Sequence, residues 1–352
     1  MTKPLLLIRT DAGPSLGAGH AMRCLALAQA WGDVLGGSVL SVMAAPERVA
    51  ERFRSEGFDV MPATGASGGS ADAEATLSIA RRVGATCLVT DGYHFAAAFQ
   101  AALRVDGLPL LSIDDSAATG PSAASVILDQ NEGVSRELYS NRPRDCRLLL
   151  GTRFALLRRE FRRIGQAPRA GVAEPANLLV TLGGGDAAGV VSKVLDAISR
   201  LKRTLSTRVL VGPAGASESA VTIAARARGL DVECVRGGVD LPELMSWADL
   251  AVTGGGSTCW ELAYLGVPAL VIELAENQRP IAGALSRAGV VERLGWHEEV
   301  RVEAITAAIQ RVASDPDRLR EMSLAGQALV DGRGALRVAA LLGDHTAVEA
   351  VG

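Results

Sequence analysis

Apolar and polar positions along the chain fall into two alternating patterns. Short runs rich in Val, Ile and Leu, such as 5–10, 87–91, 177–182 and 269–274, are apolar almost throughout, while the stretches between them space their apolar residues helically. Apolar runs of about four to eight residues suit strands buried on both faces, and the helical stretches are the crossovers of a parallel sheet. The first half predicts strands over 5–10, 38–44, 59–62, 87–91, 109–114, 126–129 and 148–151, with helices after Gly19, Pro46, Asp72 and His94. The second half predicts strands over 177–182, 208–211, 232–236, 250–253 and 269–274. Helices are expected to open near Asp186, Ser217, Leu241, Ser257 and Asn277, with a terminal helix after Gly332.

The expectation is an α/β protein of two doubly wound, Rossmann-like domains facing an interdomain cleft. Gly165, Pro168, Gly171 and Pro175 break the periodicity over 162–175, which reads as a linker between an N-terminal domain over 1–165 and a C-terminal domain over 176–352.

Composition narrows the classes. Hydrophobic residues make up 48% and charged residues 21%, which excludes disorder as the general state. Thirty-six Lys and Arg against 39 Asp and Glu leave a net charge of -3, without the basic field that nucleic-acid binding needs. Cys24, Cys87, Cys146, Cys234 and Cys259 form no C-x-x-C pair, so neither a disulfide framework nor a zinc site is expected. The leading run Leu5–Ile8 is too short for a signal peptide or a membrane span, and the reading is cytoplasmic, with no stable membrane anchoring and no obligate protein partner evident. Glycine is the surplus: 39 residues of 352, where a usual share is roughly 7%.

The informative glycines stand at predicted strand-to-helix turns. Gly17 and Gly19 precede a helix that begins at His20, where free N–H groups and the helix dipole suit an anion. His20 is a candidate base, with a capping histidine as the alternative. Gly183, Gly184 and Gly185 precede Asp186, a candidate N-cap. Gly254, Gly255 and Gly256 precede Ser257, Thr258 and Glu261, a turn suited to a diphosphate with Glu261 on a ribose, although a Ser N-cap fits the same spacing. Asn277 and Gln278 stand at the end of another strand, where amides suit a sugar and an N-cap is again the alternative.

Taken together, Arg9–Asp11, Gly17-x-Gly19-His20-x-Met22-Arg23-Cys24-Leu25, Thr90–Tyr93, Ile113–Asp115, Gln130-Asn131, Leu149–Arg158, Gly184–Asp186, Gly255–Glu261 and Glu276–Gln278 resemble the nucleotide-sugar hydrolases of pseudaminic acid biosynthesis. The resemblance runs from about residue 5 to residue 290. It implies a GT-B fold and metal-independent, inverting hydrolysis of UDP-2,4-diacetamido-2,4,6-trideoxy-β-L-altropyranose, or a close analogue, to free sugar and UDP. No cofactor is implied. By the same resemblance His20 is the base for water, Tyr93 lies near the sugar and Asn277 is an active-site residue. Asp11, Gly17, Gly19, Arg23, Gly184, Gly185, Gly255, Gly256, Ser257, Thr258, Glu261 and Gln278 are the expected substrate contacts.

The chain departs from the pattern at Asp129, at Phe154 and at His94-Phe95 after Tyr93, departures that bear on sugar contacts and on which sugar is taken more than on the reaction. Three rival readings stand beside the hydrolase. A glycosyltransferase of the same fold needs an acceptor groove, or an apolar or basic patch that the first half does not reveal in sequence. A nucleotide-sugar binding module would have lost catalysis. A hydrolysing epimerase would use carboxylates such as Asp91, Asp114 and Asp115, although aspartates at strand ends more often cap turns.

Overall fold

The computed structural model describes residues 3–13, 16–104, 107–115, 117–166, 175–183, 189–211, 217–236 and 240–349. It divides into two units, Met1–Arg159 with Gly332–Gly352, and Glu160–Asp331. Unit 1 is built on seven parallel strands: β1 (Leu5–Thr10), β2 (Ser38–Met43), β3 (Asp59–Pro62), β4 (Cys87–Asp91), β5 (Leu110–Ile113), β6 (Val126–Asp129) and β7 (Arg147–Leu150). Their order is β3-β2-β1-β4-β5-β6-β7. Unit 2 has β8 (Asn177–Thr181), β9 (Ser206–Val211), β10 (Val232–Arg236), β11 (Leu250–Gly254), β12 (Ala269–Glu273) and β13 (Val291–Trp296), in the order β10-β9-β8-β11-β12-β13.

Every predicted strand is present, with ends displaced by at most two residues. Strand β13 is the addition. It closes one edge of its sheet, and the sequence Val-Glu-Arg-Leu-Gly-Trp mixes charge with apolar residues instead of running apolar throughout. In β1, Leu6 and Ile8 face one core with Leu25 and Trp31 of the helix Gly19–Leu35, while Leu7 faces a second core with Leu88, Phe95 and Phe99. Successive strand side chains point to opposite faces, so a strand covered on both sides must be apolar at every position.

In both sheets the winding reverses at one strand pair. The chain runs from β1 outward through β2 and β3, then returns to place β4 on the other flank of β1; β8 and β11 stand in the same relation. Open α/β sheets bind ligands beyond the carboxyl ends of such a pair.

The C-terminus departs from the sequence expectation of a second domain over 176–352. The helix Gly334–Glu349 packs on the helix Gly19–Leu35 of unit 1, and Ala335, Val338, Ala339 and Leu342 are fully buried in the same core as Leu6 and Ile8. Its apolar face announces a packed helix but not which sheet it covers. Of the proposed linker, residues 167–174 lie outside the described residues. Among those described, no helix is long and apolar enough to cross a membrane.

Gly334 permits the return. A Cβ there would stand 2.3 Å from the Ala155 carbonyl oxygen and 2.4 Å from the Phe154 carbonyl carbon. Gly334→Ala is expected to destabilise unit 1 by about 1–3 kcal/mol, the usual cost of overpacking. Thermal unfolding should register this as a Tm several degrees lower, and an unchanged Tm would show that the helix seats elsewhere.

Candidate active site

The carboxyl ends of β1, β4, β5 and β6 gather charged side chains around the first helix. His20 is its second residue, and Arg23, three positions on, shares its face. His20 Nδ1 lies 2.7 Å from Asp91 Oδ1 at the end of β4. Arg23 reaches the same carboxylate with Nε at 2.6 Å from Oδ2 and Nη2 at 2.7 Å from Oδ1. Its Nη1 spans both oxygens of Asp115 at 2.9 and 3.0 Å. Asp115 also accepts from Asn131 Nδ2 at 3.0 Å and from the Tyr93 hydroxyl at 2.9 Å. The Tyr93 ring meets His20 edge to face, with centroids 4.9 Å apart.

All of these charges are buried. Burial alone would raise the Asp115 carboxyl, but the Arg23 guanidinium outweighs it and Asp115 lies at about 2. The same contest, with Arg23 and His20 opposing burial, leaves Asp91 below the ordinary carboxylate range. Burial and the neighbouring Asp115 push the Tyr93 phenol well above its usual value, so Tyr93 acts as a hydrogen-bond donor. Arg23 Nη2, which can only donate, lies 3.2 Å from the same Nδ1, but the carboxylate, which can only accept, is nearer at 2.7 Å and assigns the proton to His20 Nδ1. Nε2 is left as a bare acceptor, and it makes no hydrogen bond among the described residues. An aspartate behind a histidine fixes the tautomer in this way and stabilises the imidazolium formed on proton uptake.

A second buried group adjoins the first. Arg9 pairs with Asp11 and, through Nη2 at 2.9 Å, with Asp72; Asp11 Oδ2 also lies 2.8 Å from His94 Nε2. The Ala44 N–H donates to Asp11 Oδ1 at 2.7 Å. Burial would raise Asp11, yet the bonds from His94 and Arg9 hold it below the carboxylate range.

The geometry shows how several of the expected contacts are engaged within the protein. Asp11 and Arg23, expected to touch substrate, are spent on buried ion pairs. The Gly17 N–H donates to the Gly13 carbonyl at 2.7 Å and so closes its own loop instead of facing an anion. Gly19 opens the first helix, whose cap uses no side chain. Of the epimerase carboxylates, Asp91 and Asp115 are ion-paired, and Asp114 caps its turn by accepting from the Asp115 N–H and the Thr119 hydroxyl. The departures at Asp129 and Phe154 belong to the scaffold: Asp129 accepts from the Tyr139 hydroxyl at 2.8 Å, and Phe154 is buried.

In unit 2 the turn after β11 leads into the helix Thr258–Leu265. Ser257 stands at its cap without a side-chain capping bond, and the hydroxyls of Ser257 and Thr258 make no hydrogen bond among the described residues. Glu261 follows in the first turn. Gly255 has a different reason for being glycine than the expected phosphate: a Cβ there would lie 2.9 Å from Gln278 Cβ. Gln278 Oε1 accepts from the Gly255 and Leu274 N–H groups, each at 2.9 Å, and ties the ends of β11 and β12 together. Gln278 is thus an internal strut, and the Gly255 N–H is spent on it. Gly256 remains open, with nothing nearer than 4.0 Å to an added Cβ. Asn277 is half-buried and its side chain makes no capping bond to its helix. Gly184, Gly185 and Asp186 lie outside the described residues.

Among the described residues no group of three or more His, Cys, Asp or Glu could hold a metal. A cavity of about 710 Å³ at β7 brings together Arg136, Arg147, Arg153 and Arg337 with Leu148 and Leu341. Its lining joins residues 134–154 to residues 337–341. Its lining includes none of His20, Arg23, Tyr93, Asp91 or Asp115. Sequence reasoning also missed the His20–Asp91 pairing and the link that joins His94, singled out beside Tyr93, through Asp11 to Arg9 and Asp72. The available signal was an aspartate just at or past the end of each of two strands, β1 and β4, with a histidine within ten residues of each.

Residues 177–333 match the glycosyltransferase family 28 C-terminal domain. The spore coat polysaccharide biosynthesis protein SpsG of Bacillus subtilis is 30% identical over 170 residues, covering 48% of this chain and 50% of that protein. The chain thus spans about half the length of that relative. The UDP-N-acetylglucosamine--N-acetylmuramyl-(pentapeptide) pyrophosphoryl-undecaprenol N-acetylglucosamine transferase of Pseudomonas syringae pv. tomato is 27% identical over 268 residues, 71% of this chain and 70% of that one. Among solved structures, MurG of Acinetobacter baumannii superposes with a TM-score of 0.69 at 17% identity, covering 97% of this chain and 100% of that one. The fold is that of the GT-B glycosyltransferases.

Arg23→Met would leave Asp91 and Asp115 buried without a counter-charge, at an expected cost of about 3–5 kcal/mol at neutral pH. The sign of the pH dependence follows from the lowered carboxyls: their contribution is full above the unfolded value of about 3.9 and is lost as pH falls through the folded values. Denaturant unfolding should therefore show the wild type losing stability from pH 4 toward the Asp115 value of about 2. In R23M this slope should vanish or reverse, and an unchanged slope would contradict the assignment.

Proposed function

We propose that this chain is an enzyme acting on a UDP-linked sugar, which breaks the bond from the anomeric carbon to the diphosphate and passes the glycosyl group to a hydroxyl. The His20–Asp91 pair carries this reading. A histidine whose Nδ1 proton is fixed by an ionised, buried aspartate presents a bare Nε2 at the strand pair where this fold binds ligands. As the acceptor oxygen bonds to the anomeric carbon, its proton passes to His20 Nε2. The bond to the diphosphate breaks and UDP leaves with the electron pair. One base and a stabilised leaving group need no covalent intermediate, so the expected outcome is inversion.

Unit 2 is the nucleotide side in this proposal. The open Gly256, the unengaged hydroxyls of Ser257 and Thr258 and the first turn of their helix offer donors to phosphate, with Glu261 toward the ribose. Gly184 and Gly185 keep the substrate assignment that the resemblance implies. Asn277 and Tyr93 are assigned to the sugar, Tyr93 also buttressing His20.

The match of residues 177–333 to a glycosyltransferase domain and the likeness to the Pseudomonas transferase favour an acceptor hydroxyl over water. Hydrolysis stands as the second reading, because the motifs between residues 5 and 290 resemble nucleotide-sugar hydrolases.

A panel of UDP-sugars that includes the diacetamido-trideoxy sugar tests both readings by UDP release. Release that depends on added acceptor supports transfer, release without acceptor supports hydrolysis, and no release in either arm overturns both. His20→Ala should lower turnover by a factor on the order of 100 to 10,000 and leave UDP affinity within twofold. Full activity in H20A would remove His20 from the mechanism.

A further inference from the structure

His94, which the sequence motifs leave unassigned, sits in surroundings that duplicate those of His20. His20 comes from the connection after β1 and is held by Asp91 of β4; His94 comes from the connection after β4 and is held by Asp11, just past β1. Each aspartate is paired with an arginine, Arg23 or Arg9, and each arginine with a second buried aspartate, Asp115 or Asp72. Two quartets of the same composition thus cross over at β1 and β4.

Within the second quartet only the histidine reaches solvent. The Arg9, Asp11 and Asp72 side chains are at most 3% exposed, whereas that of His94 is 25% exposed. Asp11 is ionised and can only accept, so His94 Nε2 carries the proton and donates to it. Nδ1 is then an acceptor, and it makes no hydrogen bond among the described residues. The ring is also braced on Phe95, with centroids 4.1 Å apart. An acceptor on a partly exposed ring, held on a buried ionic mount at a ligand-binding strand pair, is suited to reading a donor group on a ligand.

We propose that His94 is a second substrate-contacting residue, whose Nδ1 accepts a hydrogen bond from a hydroxyl or amide N–H of the sugar and so selects which sugar is taken, while His20 takes the proton. The inference rests on the reading of the substrate as a nucleotide sugar. A His94 that merely supported its loop would affect every substrate alike.

The test is steady-state kinetics of His94→Phe across the UDP-sugar panel, with UDP affinity measured alongside. Phenylalanine keeps a ring against Phe95 and removes both nitrogens. For the preferred sugar, kcat/KM should fall by a factor on the order of 10 to 100, carried mainly by KM. Sugars lacking the recognised donor should change less than about threefold, and UDP affinity should hold, because that group is absent from both. An equal loss on all sugars, or no loss, would overturn the proposal. If H94F fails to fold, His94→Gln takes its place. It retains an acceptor oxygen and should keep the wild-type ranking of sugars, and a scrambled or flattened ranking would count against the proposal.

Should the wild type release UDP from no sugar, the functional reading falls and this inference is judged by binding. The ¹⁵N signals of His94 should then move on adding UDP-N-acetylglucosamine and not on adding UDP, and signals that respond equally to both would sink it.

Discussion

The guanidinium of Arg23 between Asp91 and Asp115 is the interaction on which the reactive end of unit 1 depends. Three charges are withdrawn from water there, a state that is stable only when each finds partners of good geometry. The planar fork of arginine gives two contacts to each carboxylate, which a lysine ammonium could not reproduce. In doing so it joins the first helix to the ends of β4 and β5, and through Asn131 to the end of β6. The tautomer of His20 is a by-product of that arrangement: Asp91 stays ionised because Arg23 is beside it, and an ionised Asp91 dictates which imidazole nitrogen is bare.

The division between what sequence could and could not show follows from the range of the interactions concerned. Strands such as β1 and β4 were legible because two-sided burial imposes an unbroken apolar run, a local signature. Strand β13 escaped because an edge position tolerates charge. The glycine turns were found at the right strand ends, but their partners were not. Gly255 is small for the sake of Gln278, a residue 23 positions away that belongs to the next strand's connection. Arg9 and Asp72 are 63 residues apart and Arg23 and Asp115 are 92, so no motif window contains either pair. Pairings of this kind arise from the winding order of the sheet, and the candidate site is largely made of them.

Both sheets share one organisation, with the reversal of winding placed at β1 and β4 in the first and at β8 and β11 in the second. The side chains installed there differ. Unit 1 fills its strand ends with mutually satisfied charges that hold two imidazoles, whereas unit 2 leaves hydroxyls and an open glycine at the start of a helix. One architecture thus presents charged side chains in one unit and hydroxyls in the other, as expected when chemistry resides in the residues placed on a fold and not in the fold itself.

The return of the final helix to unit 1 bears on how the chain matures. Ala335, Val338, Ala339 and Leu342 belong to the core that surrounds β1, yet they follow the whole of unit 2 in the chain and are synthesised after it. Unit 2, contiguous from Glu160 to Asp331, can close while synthesis continues, and the unit begun first is completed last. During that interval the apolar face of the helix Gly19–Leu35 lacks its cover. A stop just after Asp331 would therefore spare the unit it follows and damage the one whose sheet was synthesised before it.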